Sequence, residues 1–123
     1  MFDFEKLQVY QKAKEFNIEI KKDILSLPTL DRSSKDQLRR AAMSILLNIA
    51  EGTSRFSNAD KRRYYVISRG SVFECVAIND LLESEAVIST EIKLKFYRKA
   101  EEISKMLFAM IKKLEIKKGG IGG

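Results

Sequence analysis

The segment QLRRAAMSILLNIAEG, residues 37–52, has the apolar spacing of an amphipathic helix. Six apolar residues recur at intervals of three and four and share one face: Leu38, Ala41, Ala42, Ile45, Leu46 and Ile49. Ser34 and Gln37 have capping-box spacing, and Gly52 stands where a glycine commonly ends a helix. The pattern predicts a helix from near Ser34 to Gly52.

Three further segments carry helical periodicity, and no strand pattern of any length separates them. The predicted segments run from about Phe4 to Leu25, from Ser57 or Asn58 to about Ala86, and from Ser89 or Thr90 past Leu114. For the third helix the period places five apolar residues toward the core: Ile67, Ala77, Ile78, Leu81 and Leu82.

Similar helix lengths and short connections predict an all-α protein, an up-down-up-down antiparallel four-helix bundle. A chain of 123 residues has the size of one domain. We expect that domain to cover residues 1–118. Residues 119–123, GGIGG, offer little apolar surface to pack, which predicts a disordered tail.

Composition argues against several kinds of chemistry. The chain contains no histidine and a single cysteine, Cys75, so it lacks the usual general base, the Cys-His pair and a bundle di-iron site. We expect Cys75 to be a small packing residue, and we expect no catalytic residue, metal or cofactor. The start, MFDFEKLQ, is unlike a signal peptide and the apolar runs are too short for a membrane span, which predicts a cytoplasmic protein without a membrane partner.

Basic residues are concentrated around the second connection, and the formal net charge is +6. The candidate phosphate-binding residues are Arg39, Arg40, Arg55, Lys61, Arg62, Arg63 and Arg69. Phe56, Tyr64 and Tyr65 lie near them in sequence and are candidates for stacking on unpaired bases. The equally weighted alternative is a solvated helix face, because basic arrays on helices are common.

A second set of polar residues falls on or beside apolar helix faces. Ser44, Asn48, Glu51, Ser71 and Glu74 form this predicted buried polar network. The period places Glu74 beside Ile67, Ile78 and Leu81, where a carboxylate needs a partner. The favoured role is to fix the register of the helices, and ligand binding is the alternative. Glu51 opposes the helix dipole and therefore needs a cationic or amide partner.

Some apolar residues form stripes outside the main faces of the first and fourth helices. They are Leu7, Ile18, Leu25, Tyr97 and Phe108. A monomeric bundle would leave these side chains in water. The stripes therefore predict a subunit interface and a homo-oligomer.

Taken together, the chain resembles the four-helix-bundle family of 23S rRNA intervening-sequence proteins. The resemblance rests on FEKLQVYQKA at 4–13, QLRRAAMSILLNIAEG at 37–52, Arg55 with Ser57, and RGSVFEC at 69–75. It covers roughly residues 4–114. It implies an up-down four-helix bundle assembled as a ring-like homopentamer.

Members of that family are encoded in intervening sequences of large-subunit rRNA genes or stand alone in bacterial genomes. One relative, the accessory protein of diversity-generating retroelements, is basic, binds nucleic acid and contacts a reverse transcriptase. The leading hypothesis is therefore a non-enzymatic oligomer that binds RNA or DNA through a basic surface. The alternative is a protein-interaction scaffold for a nucleic-acid enzyme such as a reverse transcriptase.

Overall fold

Four long helices make up the computed structural model, which describes residues 1–122 and the side chains up to residue 115. Their bounds are Gln8–Ile20 (α1), Arg32–Thr53 (α2), Asn58–Ser84 (α3) and Thr90–Gly122 (α4). A 3₁₀ turn, Asp3–Lys6, precedes α1, and a π-helical turn, Lys21–Leu25, extends it. The described residues contain no strand, so the predicted all-α class is confirmed. The side chains of the predicted tail, 119–123, lie outside the described part of the chain.

Polar contacts between neighbouring helices show the antiparallel, up-down-up-down order. Along α1 and α4, Lys12 pairs with Glu102 while Asp23 pairs with Lys95, so the two helices run in opposite directions. The α2–α3 contacts follow the same rule, from Thr53 with Tyr65 to Ser44 with Ser71. The α3–α4 pairs run from Arg62 with Glu115 to Asp80 with Lys93. Within the described residues, no helix has the length and hydropathy needed to cross a lipid bilayer.

Side chains cap the starts of the three later helices. Asp31, Ser57 and Ser89 each accept a hydrogen bond from the backbone N–H three residues ahead, at 3.0–3.1 Å. The Ser57 and Ser89 caps agree with the sequence. The predicted start of α2 at Ser34 is wrong, because Asp31 is the cap and the helix begins at Arg32. An Asp oxygen at that position satisfies the amide of the third helical residue.

The buried face of α3 differs from the predicted one. The residues it buries are Tyr65, Ser68, Ser71, Val72, Cys75, Asn79 and Leu82. Ile67, Ala77 and Leu81 are exposed, so their assignment to the core is wrong, while Leu82 is correctly assigned. The Ser68 hydroxyl donates to the Ile45 carbonyl at 2.8 Å, so a small polar side chain occupies the α2–α3 contact. Small residues let the two backbones approach, and the large aliphatic residues are left outside.

The π-helical turn explains why Leu25 belongs to the core. On a regular α-helix Leu25 lies well to one side of Ile20, which is why it was assigned to an outer stripe. A π-helical turn holds more residues than an α-helical turn, so Leu25 is rotated less far from Ile20 than it would be on an α-helix. Leu25 therefore stays close to the core face beside Ile24 and is only 7% exposed. The prediction that Leu25 forms a subunit interface is wrong.

Gly52 has a packing role rather than the predicted role as a helix stop. α2 continues to Thr53, and Gly52 is buried against α3. A Cβ atom at this position would lie 2.8 Å from Cε1 of Tyr65 and 3.0 Å from Cβ of Tyr64. The Tyr65 ring is buried and its hydroxyl bonds to Thr53 at 3.0 Å, so it has little freedom to move.

We predict opposite effects of the same substitution at two helical glycines. Gly52→Ala should lower the free energy of unfolding by about 1 kcal/mol, since overpacking costs about 1–3 kcal/mol and removal of a helical glycine returns about 1. Gly70→Ala should raise it by about 0.5–1 kcal/mol, because nothing lies within 4 Å of its Cβ position. Urea unfolding at low protein concentration measures both. An equal gain in stability from both variants would contradict the close α2–α3 packing.

Candidate nucleic-acid interface

Four of the predicted basic residues lie at one end of the bundle, where α2 ends and α3 begins. We call Arg55, Lys61, Arg62 and Arg63 the basic end. Arg62 donates from Nε to Oε1 of Glu115 at 3.1 Å, which brings α4 to the same end. α4 also brings Lys112, which lies 3.3 Å from Glu115. Sequence reasoning missed Lys112, although the antiparallel order already implied that α4 finishes beside the start of α3.

Arg55 is held by α2 and α3 together. Its Nη2 lies 2.8 Å from Oε2 of Glu51 and donates to the Tyr64 hydroxyl at 2.9 Å. Its guanidinium carbon lies 4.7 Å from the centre of the Tyr64 ring, and that of Arg63 lies 4.9 Å from the same centre. Glu51 thus has the cationic partner that was predicted. Two stacked guanidinium groups already occupy Tyr64, so its ring is not free to stack on a base.

Lys61 resolves an apparent conflict with the helix dipole. Cations are unfavourable at the start of α3, but the Lys61 ammonium donates to the carbonyl oxygen of Thr53 at 3.0 Å. That carbonyl belongs to the last residue of α2, where positive charge is favourable. The positive charge of Lys61 therefore stabilises the C-terminal end of α2, which is a structural role.

Arg62 and Arg63 present the most accessible charge of the basic end, since both residues are exposed. Phe56, in the connection before them, is fully exposed. Tyr65 is only 5% exposed, so the prediction that it stacks on bases is wrong. Phe56 is therefore the one aromatic residue of the three whose ring is open for stacking.

The other predicted basic residues do not join the basic end. Arg39 and Arg40 lie thirteen or more residues before the end of α2, about 20 Å away along the helix. Arg39 lies near Asp36 of its own helix, at 3.7 Å. Arg69 is seven residues beyond Arg62, about 10 Å along α3, and lies against α4. The predicted set of seven residues is therefore at least two separate surfaces.

Only part of the predicted polar network is present. The Ser71 hydroxyl donates to the Ser44 hydroxyl at 2.7 Å, and the Asn48 amide donates to the same oxygen at 3.0 Å. These three residues link α2 to α3 and fix their register. Glu51 and Glu74 are exposed, so their assignment to a buried network is wrong. α3 presents Ser68 and Ser71 to α2, which leaves Glu74 outside the contact.

The predicted interface residues have different environments. Ile18, Tyr97 and Phe108 are exposed, as an interface in a free protomer requires. Leu7 is half-buried and packs against the core. Other large apolar residues that are also exposed were not predicted to be so: Met43, Leu47, Val66, Ile67, Phe73 and Leu81. Two of these, Ile67 and Leu81, belong to the incorrectly predicted core face of α3.

The remaining candidate for covalent chemistry is Cys75, which is fully buried. Burial, with a smaller contribution from the Glu74 carboxylate, raises the pKa of its thiol to about 12. The thiol is therefore protonated at neutral pH and has the packing role that was predicted. Among the described residues, no group of three His, Cys, Asp or Glu side chains is placed to hold a metal ion.

These features define a helical protein with a positively charged end and exposed apolar faces. Residues 5–109 match the family model described as 23S rRNA-intervening sequence protein, and the chain belongs to that family. A solved structure from Bacteroides thetaiotaomicron, described as a protein of unknown function from the S23 ribosomal protein family, is similar to it. The TM-score is 0.78 at 26% identity, over 85% of this chain and 98% of that chain. A comparison with curated proteins found no match.

We predict that native Cys75 does not react with thiol reagents. Its raised pKa keeps the thiol protonated between pH 7 and 9, and its burial keeps the reagent out. Labelling should therefore require unfolding. Labelling with a maleimide, followed by mass spectrometry with and without urea, measures this. Complete labelling of the folded protein within minutes at pH 8 would show that the site opens readily.

Proposed function

We propose that this chain is a non-enzymatic, homo-oligomeric bundle that binds RNA or DNA through its basic end. The observation that carries the proposal is the joining of two helix termini into one surface that presents Arg62 and Arg63 beside Phe56. Arginine side chains neutralise phosphates and release counterions, which gives affinity without dependence on sequence. An exposed phenyl ring adds a stacking surface for an unpaired base.

The arrangement favours recognition of shape and charge over recognition of a base sequence. Arg55 and Lys61 are engaged with Glu51, Tyr64 and Thr53, so they contribute positive potential but are already committed as donors. Arg62 and Arg63 also have partners, Glu115 and the Tyr64 ring respectively, but both side chains are exposed, so a phosphate can compete with those partners for them. Phosphate contacts position a nucleic acid without reading its bases. The family description refers to an intervening sequence of 23S rRNA, which makes structured rRNA one ligand to test.

The proposal includes self-association into a ring-like oligomer, with a pentamer as the expected size. Such an assembly would strengthen nucleic-acid binding. Tyr97 and Phe108 on α4 and Ile18 on α1 are large apolar side chains that a subunit contact would cover. A ring repeats the basic end once per subunit, and linked weak sites bind far more tightly than one site. A modest charge of +6 per chain becomes a strong field when several copies are assembled.

We predict that Arg62→Ala with Arg63→Ala weakens nucleic-acid binding at least about tenfold at low salt. Loss of two phosphate contacts should also reduce the slope of log affinity against log salt by about 2. Fluorescence anisotropy with structured RNA, single strands and duplex DNA measures both, and we expect single-stranded regions to be preferred because of Phe56.

The matched control is Arg39→Ala with Arg40→Ala, which removes the same charge about 20 Å from the basic end. Equal losses from the two double variants would show that overall charge, rather than the basic end, binds the ligand. Absence of binding to all three ligands at low salt would exclude the proposed activity. A scaffold role toward a nucleic-acid enzyme would then be the working hypothesis.

We predict that Phe108→Glu dissociates the oligomer, because the change removes a large apolar contact and places a carboxylate beside Arg69 of the same protomer, within the surface that a neighbouring copy would cover. Sedimentation equilibrium should show the mass falling toward that of one chain, with the helix content unchanged by circular dichroism. Ala109→Glu, an exposed neighbour on α4, is the control that adds the same charge elsewhere. An unchanged mass for Phe108→Glu would exclude this face from the interface.

A further inference from the structure

The middle of α3 presents an apolar surface to solvent with two charges in it. Between Tyr64 and Asn79 the only charged side chains are Arg69 and Glu74. Val66, Ile67 and Phe73 in that stretch are each 44–56% exposed. A surface helix normally carries charged residues on its outer face, so an apolar outer face indicates a contact with another protein surface.

Arg69 lies on the side of this surface that faces α4. Its guanidinium carbon is 4.9 Å from the centre of the Phe73 ring and 5.3 Å from that of Phe108. Its Nε atom is inaccessible to solvent and has no hydrogen-bond partner among the described residues. Arg69 also lines two adjoining grooves between α3 and α4, of about 570 and 460 Å³. The Arg69 side chain forms no hydrogen bond or ion pair with any described residue, so its cation lies against two aromatic rings without an acidic partner and favours an anion brought from outside the protomer.

Glu74 lies on the side that faces α2. It is exposed, and it forms no ion pair or hydrogen bond with any described residue. Ile67 and Leu81, two turns before and after it on the same stripe of α3, are exposed apolar residues. Five residues separate Arg69 from Glu74, which places them about 140° apart around the helix. The protomer therefore has a cationic apolar surface and an anionic apolar surface that point in different directions.

We propose that these two surfaces bind each other between copies of this chain, with Arg69 of one copy paired with Glu74 of the next. This rests on the self-association proposed above and names the residues that perform it. The occupant is a second copy because the chain itself supplies both charges, Arg69 against the Phe73 and Phe108 rings and Glu74 on an exposed apolar stripe of α3, and a subunit contact would remove both from water. Contacts between unlike surfaces are head-to-tail, and such contacts close into a ring when the rotation permits. Phe108 then acts by packing against Arg69, in addition to filling the interface.

Charge reversal tests the pairing in the full-length protein. Arg69→Glu and Glu74→Arg should each weaken assembly about 30-fold or more, because each places two like charges in contact within an apolar interface. The double variant Arg69→Glu/Glu74→Arg restores opposite charges and should assemble at least about tenfold more tightly than either single variant. Sedimentation equilibrium gives the dissociation constants, and circular dichroism verifies folding. Lys14→Glu and Glu91→Arg are exposed charge-reversal controls on α1 and α4 and should leave assembly unchanged.

The outcomes separate this inference from the proposed function. If the wild type assembles and both single variants assemble equally well, the Arg69–Glu74 contact is wrong while the oligomer stands. If the single variants dissociate and the double variant does not recover, the two residues contact other groups and the pairing is overturned. If the wild type is monomeric at every concentration, the oligomer and the pairing both fail. The nucleic-acid titration with the Arg62 and Arg63 variant then still tests the basic end by itself.

Discussion

The close contact between α2 and α3 is the constraint on which the rest of the structure depends. Gly52 leaves no space between its backbone and the Tyr65 ring, and the Ser68 hydroxyl reaches the Ile45 carbonyl at 2.8 Å. Contacts this short require small side chains, so α3 turns its small and polar residues toward α2. Its larger residues, such as Ile67 and Phe73, consequently remain on the outside. The close α2–α3 contact therefore determines both which side chains of α3 are buried and which of its apolar side chains stay exposed.

The same contact also builds the basic end. Because α2 and α3 approach closely where they join, Lys61 reaches the last carbonyl of α2 and Arg55 reaches Tyr64 on α3. These bonds fix the connection and hold positive charge at one place on the surface. Arg62 and Arg63 then extend from a well-defined helix start rather than from a loose loop. Helix capping and the proposed phosphate binding thus use the same cluster of residues.

Sequence reasoning succeeded where the signal is local and was wrong where it is not. The capping roles of Ser57 and Ser89 and the face of α2 were predictable, because caps and helical periodicity involve residues three or four apart. Glu74 lies outside the buried network because the large aliphatic residues Ile67 and Leu81 do not mark the core face of α3. Leu25 lies in the core because a π-helical turn, which regular helical spacing does not predict, changes its direction. Arg39 and Arg63 were grouped by residue type, although about 20 Å or more of helix separates them.

By itself the sequence determined the four helices, their antiparallel order, the exclusion of histidine chemistry and the positive charge near residue 60. Each of these follows from composition or from spacing within a few turns, and short connections leave few ways to arrange neighbouring helices. Only the tertiary structure decided how far α3 is rotated, which arginines share a surface, and that Arg69 and Glu74 lie on different apolar surfaces. Those properties depend on how small side chains on α2 and α3 fit together. That fit involves residues far apart in the sequence, so the pattern along either helix alone does not predict it.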